Sequence, residues 1–358
     1  MAKKTTRPKG ADGVPPDDDF LRSVGGRRLA LGKDAQYGET WNFGWVPPEN
    51  RTEEAAEAAH RAATEMPRFA VDGVTKYPDG SASEPERVNL YEAWKHPDVV
   101  AANGWEFTGV HQLTGSCVGA GGGNCWFTLA GMDVIKRGDA EKPLLPFWLL
   151  PYGRSRYYLG DRGPGEGSTG STFAKAARED GVVPAVGDGM PSFTRDDGFV
   201  WGRSVEMKWS DGDNSDTMAL LPKSRMHLVK TTAQCRSADD VREAIVNGYP
   251  CTCASMYAHN GGRVQGSGKN AVLIASRQGS WAHQMSLLAW WMHPEFGELF
   301  YLMNQWGLRA HGQDPAGAPA GGVWIKKADV DWICRDEVFA FSQFAGFPAP
   351  AKPLSWIF

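Results

Sequence analysis

The stretch HQLTGSCVGAGGGNCW, residues 111–126, holds five glycines and two cysteines. In one interpretation it is a glycine-rich loop that carries two buried thiols. In the other, a cysteine stands at the start of a helix. The helix N-terminus carries about half a positive charge, which makes a thiol there easier to ionise. The two interpretations differ in function, since only an ionised thiol is a good nucleophile.

Both cysteines of this stretch are candidate nucleophiles. Cys117 follows Gly115 and Ser116, where a helix would begin, and the glycines would let backbone amides approach a reacting carbonyl. Cys125 lies two helical turns later and is better placed for packing. Apolar side chains recur at helical spacing over residues 125–138, which predicts a buried helix after the glycine cluster. We therefore favour Cys117 and keep Cys125 as the alternative.

Two more motifs supply partners for a thiol. His283 lies in AHQMSLLAW, 166 residues after Cys117, and Asn304 lies in MNQWG, 21 residues after His283. An imidazole can take the thiol proton and pass it to a leaving group, while an amide oxygen fixes the far ring nitrogen. Trp306 would cover that second hydrogen bond and exclude water from it.

Secondary-structure signals divide the chain into two halves. Helices are predicted over residues 50–66, with Asn50 as the cap, over about 171–180, and within 237–250, with Ser237 or Asp239 as the cap. Strand-like segments lie at 251–258, 271–276, 283–291, 299–304 and 322–326. Helices first and strands later predict an α+β fold. Residues 1–19 are polar and charged, which predicts a disordered arm.

The three motifs, in this order, resemble those of the papain-like cysteine peptidases. TGSC ending at Cys117 is similar to the family's nucleophile motif, Ala282-His283 to its histidine motif and NQWG beginning at Asn304 to its asparagine motif. Residues 168–183, 241–258 and 321–330 also resemble family segments, so the resemblance covers about residues 105–345. It is closer to divergent bacterial and bacteriophage members than to the secreted lysosomal type.

The resemblance implies a papain-like two-lobe α+β fold with an N-terminal extension. Residues 1–100 would form a partly disordered arm and extension, and residues 101–358 the papain-like domain. Within that domain the helical lobe would span about 105–225 and the β-rich lobe about 226–345. The arm is a possible docking segment for a protein partner, and the extension a possible pro-segment.

The resemblance also implies roles for individual residues. Cys117, His283 and Asn304 would form the catalytic triad, and Gln112 would stabilise the oxyanion. Gln112 precedes Cys117 by five positions instead of the family's six, and His111 occupies the sixth. Either Gln112 still points its amide inward or His111 replaces it. Losing one oxyanion donor costs on the order of a hundredfold in rate, so this departure is compatible with a slow or inactive enzyme.

One more departure from the family, and the residues expected to bind substrate, concern the surroundings of the triad. Thr114 stands where secreted members of the family place a disulfide cysteine. Ser168, Thr169 and Gly170 would present backbone to an extended peptide substrate, or else form only a turn before a helix. The resemblance places Trp306 with them in the substrate cleft.

Composition excludes several classes of partner. The formal net charge of −4 argues against a nucleic-acid binder. No run approaches the roughly 18 apolar residues of a membrane span. The basic start MAKKTTRPKG has no apolar core after it, so we expect no signal peptide and a cytoplasmic or virion-associated protein. The six cysteines are expected to be free thiols, and neither a metal nor a cofactor is expected.

The resulting functional hypothesis is a cysteine peptidase that hydrolyses peptide bonds in a peptide or protein substrate. Two alternatives use the same fold. One is a slow or inactive structural protein, such as a component of a phage particle. The other is an amidase or cell-wall endopeptidase with the same triad.

Overall fold

The computed structural model describes residues 18–23, 26–30, 39–71, 85–137 and 145–348. Residues 1–17, most of the predicted disordered arm, lie outside that range, and a helix begins at Asp18. Over the described residues the helices are α1 Asp18–Ser23, α2 Glu53–Thr64, α3 Pro97–Asn103, α4 Cys117–Arg137, α5 Leu149–Leu159, α6 Gly170–Glu179, α7 Arg203–Trp209, α8 Ser215–Ser224, α9 Ala238–Val246 and α10 Lys327–Ile333. None of them is both long enough and apolar enough to cross a membrane.

The strands lie mostly in the second half of the chain. They are β1 Arg27–Ala30, β2 Glu39–Asn42, β3 Arg87–Asn89, β4 Thr231–Gln234, β5 Cys251–His259, β6 Arg263–Gln265, β7 Val272–Ile274, β8 Arg277–His293, β9 Gly297–Met303, β10 Gly322–Lys326 and β11 Glu337–Ser342. The sheet order is β4-β11-β5-β8-β9-β10-β7-β6. Its pairs are antiparallel except β10 with β7. The α+β prediction is confirmed.

Strand β8 is the centre of this arrangement. It pairs with β5 on one side and β9 on the other, and its 17 residues let it also pair with the short strands β2 and β3. Helix α4 packs against β8 and is buried along most of its length. The start of α4 therefore lies against the middle of the sheet, where residues from distant parts of the chain can meet.

Four glycines of the cluster, Gly119 and residues 121–123, belong to helix α4, and Gly115 lies in the loop before it. The helix start at Cys117 agrees with the favoured interpretation, but the prediction that the helix follows the glycine cluster was wrong, and packing gives the reason. Cβ atoms at Gly119, Gly122 and Gly123 would overlap side chains of the neighbouring helices, at Tyr152, Phe173 and Trp148 respectively. These glycines lie three and four residues apart on one helix face. They let α4 approach α5 and α6 closely, so their role is in packing and not in exposing amides to a substrate.

Gly122→Ala tests this packing role. The new methyl group would overlap the Phe173 ring, so we expect a loss of about 1–3 kcal/mol in the free energy of unfolding. Gly121→Ala in the same helix is the matched control. Its Cβ would lie 3.3 Å from the nearest atom, and alanine gains about 1 kcal/mol in helix propensity. Denaturant unfolding measures both variants, and equal stabilities would contradict the packing role.

The other helix predictions agree with the structure, with one change of cap. Helix α9 begins after Ser237, whose side chain accepts from Asp240 N–H, and α6 begins after Thr169. The helix predicted from Asn50 begins instead at Glu53, and Thr52 caps it. Pro47 leads residues 48–50 into a 3-10 turn, which takes Asn50 out of the cap position. The proposed lobe boundaries stay predictions.

Candidate functional site

Cys117 is the first residue of α4, and its sulfur faces β8. The backbone N–H of Gln284, the residue after His283, donates to Cys117 Sγ over 3.3 Å. The thiol is fully buried. The structure therefore brings the cysteine of the first motif into contact with Gln284, the residue that follows the histidine of the second motif.

His283 and Asn304 meet on neighbouring strands. His283 lies on β8, Asn304 follows β9, and their Nε2 and Oδ1 atoms are 2.9 Å apart. The Trp306 ring lies nearly parallel to the imidazole at 5.2 Å between centroids, and it is almost completely buried. Among the described residues, His283 Nδ1 has no hydrogen-bond partner, so the ring nitrogen opposite Asn304 is available.

Gln112 and Cys117 donate to the same oxygen atom. Gln112 Nε2 and the Cys117 backbone N–H each lie 3.2 Å from the carbonyl oxygen of Phe43. His111 does not take this place, because its ring lies beside Asp197. Of the two sequence alternatives, the geometry thus has Gln112 pointing inward. Two converging donors on one carbonyl oxygen are the arrangement that stabilises an oxyanion.

The carbonyl belongs to a segment that the sequence analysis did not place at the site. Residues 41–51 are here called the strap. Its first part runs between the start of α4 and β8 as an extended peptide, and residues 48–50 then form the 3-10 turn. On one rim β2 pairs in parallel with β8, and Phe43 N–H donates to Ala282 O over 2.9 Å. On the other rim Ser168 N–H donates to Gly44 O and Ser168 O accepts from Val46 N–H, both at 2.8 Å.

Gly44 makes this path through the groove possible. Its φ of +115° is disfavoured for other residues, and a Cβ atom there would overlap the carbonyl of Gly115 in the loop before Cys117. The strap therefore passes this loop at a distance that only glycine permits.

The side chains of the strap anchor it on both sides of Cys117. The Phe43 ring lies 5.0 Å from the imidazole of His283. Trp45 is fully buried, and its indole N–H donates to Glu337 Oε2 over 2.7 Å. Arg51 forms an ion pair with the same carboxylate at 3.2 Å. Removing the strap would open a groove over the thiol and leave Glu337 at its edge.

The three residues of the predicted substrate loop make different contacts. Ser168 presents both backbone groups to the strap, as described above. Thr169 caps α6 with its side chain, and Gly170 N–H donates to Glu337 Oε2 over 2.8 Å. Only Ser168 pairs with the peptide in the groove, whereas Thr169 and Gly170 fix the loop in place.

Burial beneath the strap keeps the thiol and the imidazole neutral. It raises the pKa of Cys117 well above its usual range, against hydrogen bonds from the backbone of Gln284 and Trp45. Burial also lowers the pKa of His283 from 6.5 to about 3, although the Asn304 hydrogen bond acts in the opposite direction. A dry site disfavours charge on either group, so the covered pair is a poor nucleophile.

The pKa directions give a prediction for the unaltered protein. A thiol whose pKa is raised carries less thiolate at any given pH, so iodoacetamide should alkylate Cys117 slowly from pH 6 to pH 9. An unperturbed peptide thiol, with a pKa of about 8.5, should react rapidly at the top of this range. Peptide mapping by mass spectrometry measures both rates. Rapid labelling of Cys117 at pH 7 would contradict the neutral, covered state.

Cys125 does not share this environment. It lies within α4 and is fully buried, and burial raises its pKa as well, opposed by a hydrogen bond with Ser286. The sequence analysis missed the strap, Glu206 and His311, whose ring nitrogen lies 3.4 Å from Asn304 Nδ2. The aromatic run TWNFGWVPPEN was the one visible signal for the strap.

Solved structures similar to this chain are known, although no protein-family model matches the chain and no curated protein is detectably similar in sequence. Xylellain, a cysteine protease from Xylella fastidiosa, superposes with a TM-score of 0.52 at 14% identity, over 89% of this chain and 98% of that one. Procathepsin B S9 from Trypanosoma congolense has a TM-score of 0.42 at 12% identity, over 83% and 89% of the two chains. The proform of the ragweed pollen protease Amb a 11 has 0.44 at 9%, over 82% and 90%.

The first of these similarities extends over nearly the whole of both chains, and it agrees with the order of helices and strands described above. At such low identity it establishes architecture and leaves activity open. The chain has the two-lobe α+β fold of the papain-like cysteine proteases.

Proposed function

We propose that the protein is a cysteine peptidase that acts on extended peptides and is held latent by its own strap. The observation that carries this proposal is the position of Phe43 O, which accepts from both Gln112 Nε2 and Cys117 N–H. A peptide main chain already lies in the groove with one carbonyl at two converging donors. Its backbone bonds to Ala282 and Ser168 involve no side chain, so another peptide with glycine at the place of Gly44 can form them too.

The reaction follows from the same geometry once the strap has left. His283 takes the Cys117 proton, and the sulfur attacks the carbonyl carbon of the substrate. The oxygen gains negative charge, which Gln112 and the Cys117 amide stabilise. His283 then protonates the leaving amine, and a thioester remains. Water, deprotonated by His283, hydrolyses the thioester and regenerates the thiol. Asn304 holds the ring in orientation throughout.

The geometry favours this function over an inactive structural role. The one-residue shift of Gln112 raised doubt about the oxyanion donors, yet its amide and that of Cys117 lie equally far from one oxygen. The bacteriophage context and the cytoplasmic or virion-associated location stay predictions.

Turnover by the full-length protein with Trp45→Ala tests the proposal, because this variant loosens the strap. We expect it to release peptides from a denatured protein substrate, with Cys117→Ala in the same background as the inactive control. Peptidoglycan fragments in a parallel assay separate the alternatives. Cleavage of these fragments alone would favour a cell-wall amidase or endopeptidase. No turnover of either substrate by a folded variant with an exposed Cys117 would favour the structural role.

A further inference from the structure

Glu206 is a buried carboxylate beside the nucleophile loop. It lies on α7 and is fully buried, and it accepts hydrogen bonds from three residues of the 113–116 segment. Leu113 N–H lies 3.0 and 3.2 Å from its two oxygens. Oε2 also accepts from Thr114 N–H at 2.9 Å, Thr114 Oγ1 at 2.6 Å and Ser116 Oγ at 2.9 Å. All of these donors lie between Gln112 and Cys117.

Burying a carboxylate costs free energy, and its surroundings must compensate for that cost. A buried carboxylate is normally paired with a cation. In the described part of the chain no lysine, arginine or histidine forms an ion pair with Glu206, and burial raises its pKa from 4.5 to about 7. The hydrogen bonds from Thr114, Ser116 and Leu113 act in the opposite direction. Because they come from one short turn, the carboxylate and the turn stabilise each other.

This turn sets the distance between the two oxyanion donors. Besides Phe43 O, Gln112 Nε2 also donates to Thr114 O at 2.9 Å, and Ser116 N–H donates to the same oxygen at 2.8 Å. A shift of the turn would therefore move the Gln112 side chain and the Cys117 amide relative to each other. The Glu206 hydrogen bonds act on this turn, through the backbone and hydroxyl of Thr114 and the hydroxyl of Ser116.

We propose that Glu206 is a positioning residue whose carboxylate holds residues 113–116 so that Gln112 Nε2 and Cys117 N–H converge on one carbonyl oxygen. This inference rests on the proposed function, because it assigns Glu206 to the oxyanion site of that reaction. Glu206 touches neither the Cys117 sulfur nor His283, so its effect falls on the oxygen-binding donors and leaves the reactivity of the thiol unchanged.

Two reagents separate those effects. The aldehyde acetyl-Trp-Asn-phenylalaninal copies residues 41–43 of the strap, and its carbonyl adds the Cys117 thiol to form a hemithioacetal whose oxygen occupies the donor site. Iodoacetamide alkylates the same sulfur by displacing iodide and needs no oxyanion donors. Both are applied to the full-length protein with Trp45→Ala, the parent variant, in which we expect the strap to leave the groove more often.

Glu206→Gln in this parent keeps the side-chain shape but replaces one acceptor oxygen with an NH2 group facing the donors. We expect the aldehyde to bind at least about tenfold more weakly, a fraction of the loss when an oxyanion donor is removed. The alkylation rate should change less than about twofold, since the thiol keeps its surroundings. For substrate turnover, kcat should fall by about the same factor as aldehyde affinity, with KM nearly constant.

Asp314→Asn is the matched control. Asp314 is also buried, and it accepts from three neutral donors on Leu273, Ala318 and Trp324, away from Cys117. The same change there should lower the melting temperature but leave aldehyde affinity unchanged. Equal aldehyde affinity in Glu206→Gln and the parent would overturn the inference. It would also be overturned if Glu206→Gln and Asp314→Asn both lost aldehyde affinity and alkylation rate to the same extent. A parent that binds no aldehyde would overturn the proposed function itself.

Two milder variants decide the matter if Glu206→Gln does not fold. Thr114→Val and Ser116→Ala each remove one hydroxyl donor and leave the carboxylate with its backbone partners. We expect each to weaken aldehyde binding about threefold without slowing alkylation, because only a fraction of the free energy of one hydrogen bond to a charged group acts on the position of the donors. No change in either variant would overturn the inference.

Discussion

Trp45→Ala should raise the rate at which iodoacetamide labels Cys117 by roughly 100- to 1000-fold at pH 7. The substitution removes a fully buried indole and its hydrogen bond to Glu337. Truncating a buried tryptophan costs about 3–5 kcal/mol, and here that energy holds the strap in the groove. Labelling that depends on local opening rises with the population of the open state. Peptide mapping after timed labelling measures the rate.

Controls for this prediction separate strap release from general destabilisation. Trp45→Phe keeps an aromatic ring and should give a smaller increase. Trp290→Phe removes the same atoms from another buried tryptophan, whose N–H donates to Glu298, and should give none. Gly44→Ala should also increase labelling, because its Cβ would overlap Gly115. Equal increases in Trp45→Phe and Trp290→Phe would mean that global unfolding, and not the strap, controls access.

Cys117→Ala should abolish peptide hydrolysis in the Trp45→Ala background, with a fall in kcat of at least about 10⁴-fold. Removing a nucleophile that works with a general base eliminates the covalent route and leaves only binding and oxyanion stabilisation. Cys125→Ala removes a buried thiol from the same helix, eight residues later, and should leave kcat within about twofold. Initial rates on a common peptide substrate measure both variants. Loss of turnover in Cys125→Ala alone would identify the other cysteine as the nucleophile.

The residues of the candidate triad could be proposed from the sequence because chemistry restricts their type. A thiol at a helix start, a distant imidazole and an amide beside Trp306 can be read from motifs. In the fold His283 contacts Asn304, and Cys117 contacts Gln284, the residue after His283. The order of helices and strands was predictable from local periodicity for a similar reason, since each element depends on its own residues. The glycines were misassigned because a glycine that clears space for a neighbouring helix looks the same in sequence as one that bends a loop.

The strap and Glu206 were not predictable in this way. Phe43 meets Gln112 from 69 residues away, and Glu206 meets Thr114 from 92 residues away. No local pattern shows which carbonyl will accept from a given amide, or which carboxylate will lie in a dry pocket. The chain's own local patterns predicted the α+β fold correctly and supplied the candidate chemical groups of the site. The covered thiol, the neutral imidazole and the carboxylate beneath the nucleophile turn follow from long-range packing, because burial and hydrogen-bond partners depend on segments that meet only in the folded protein.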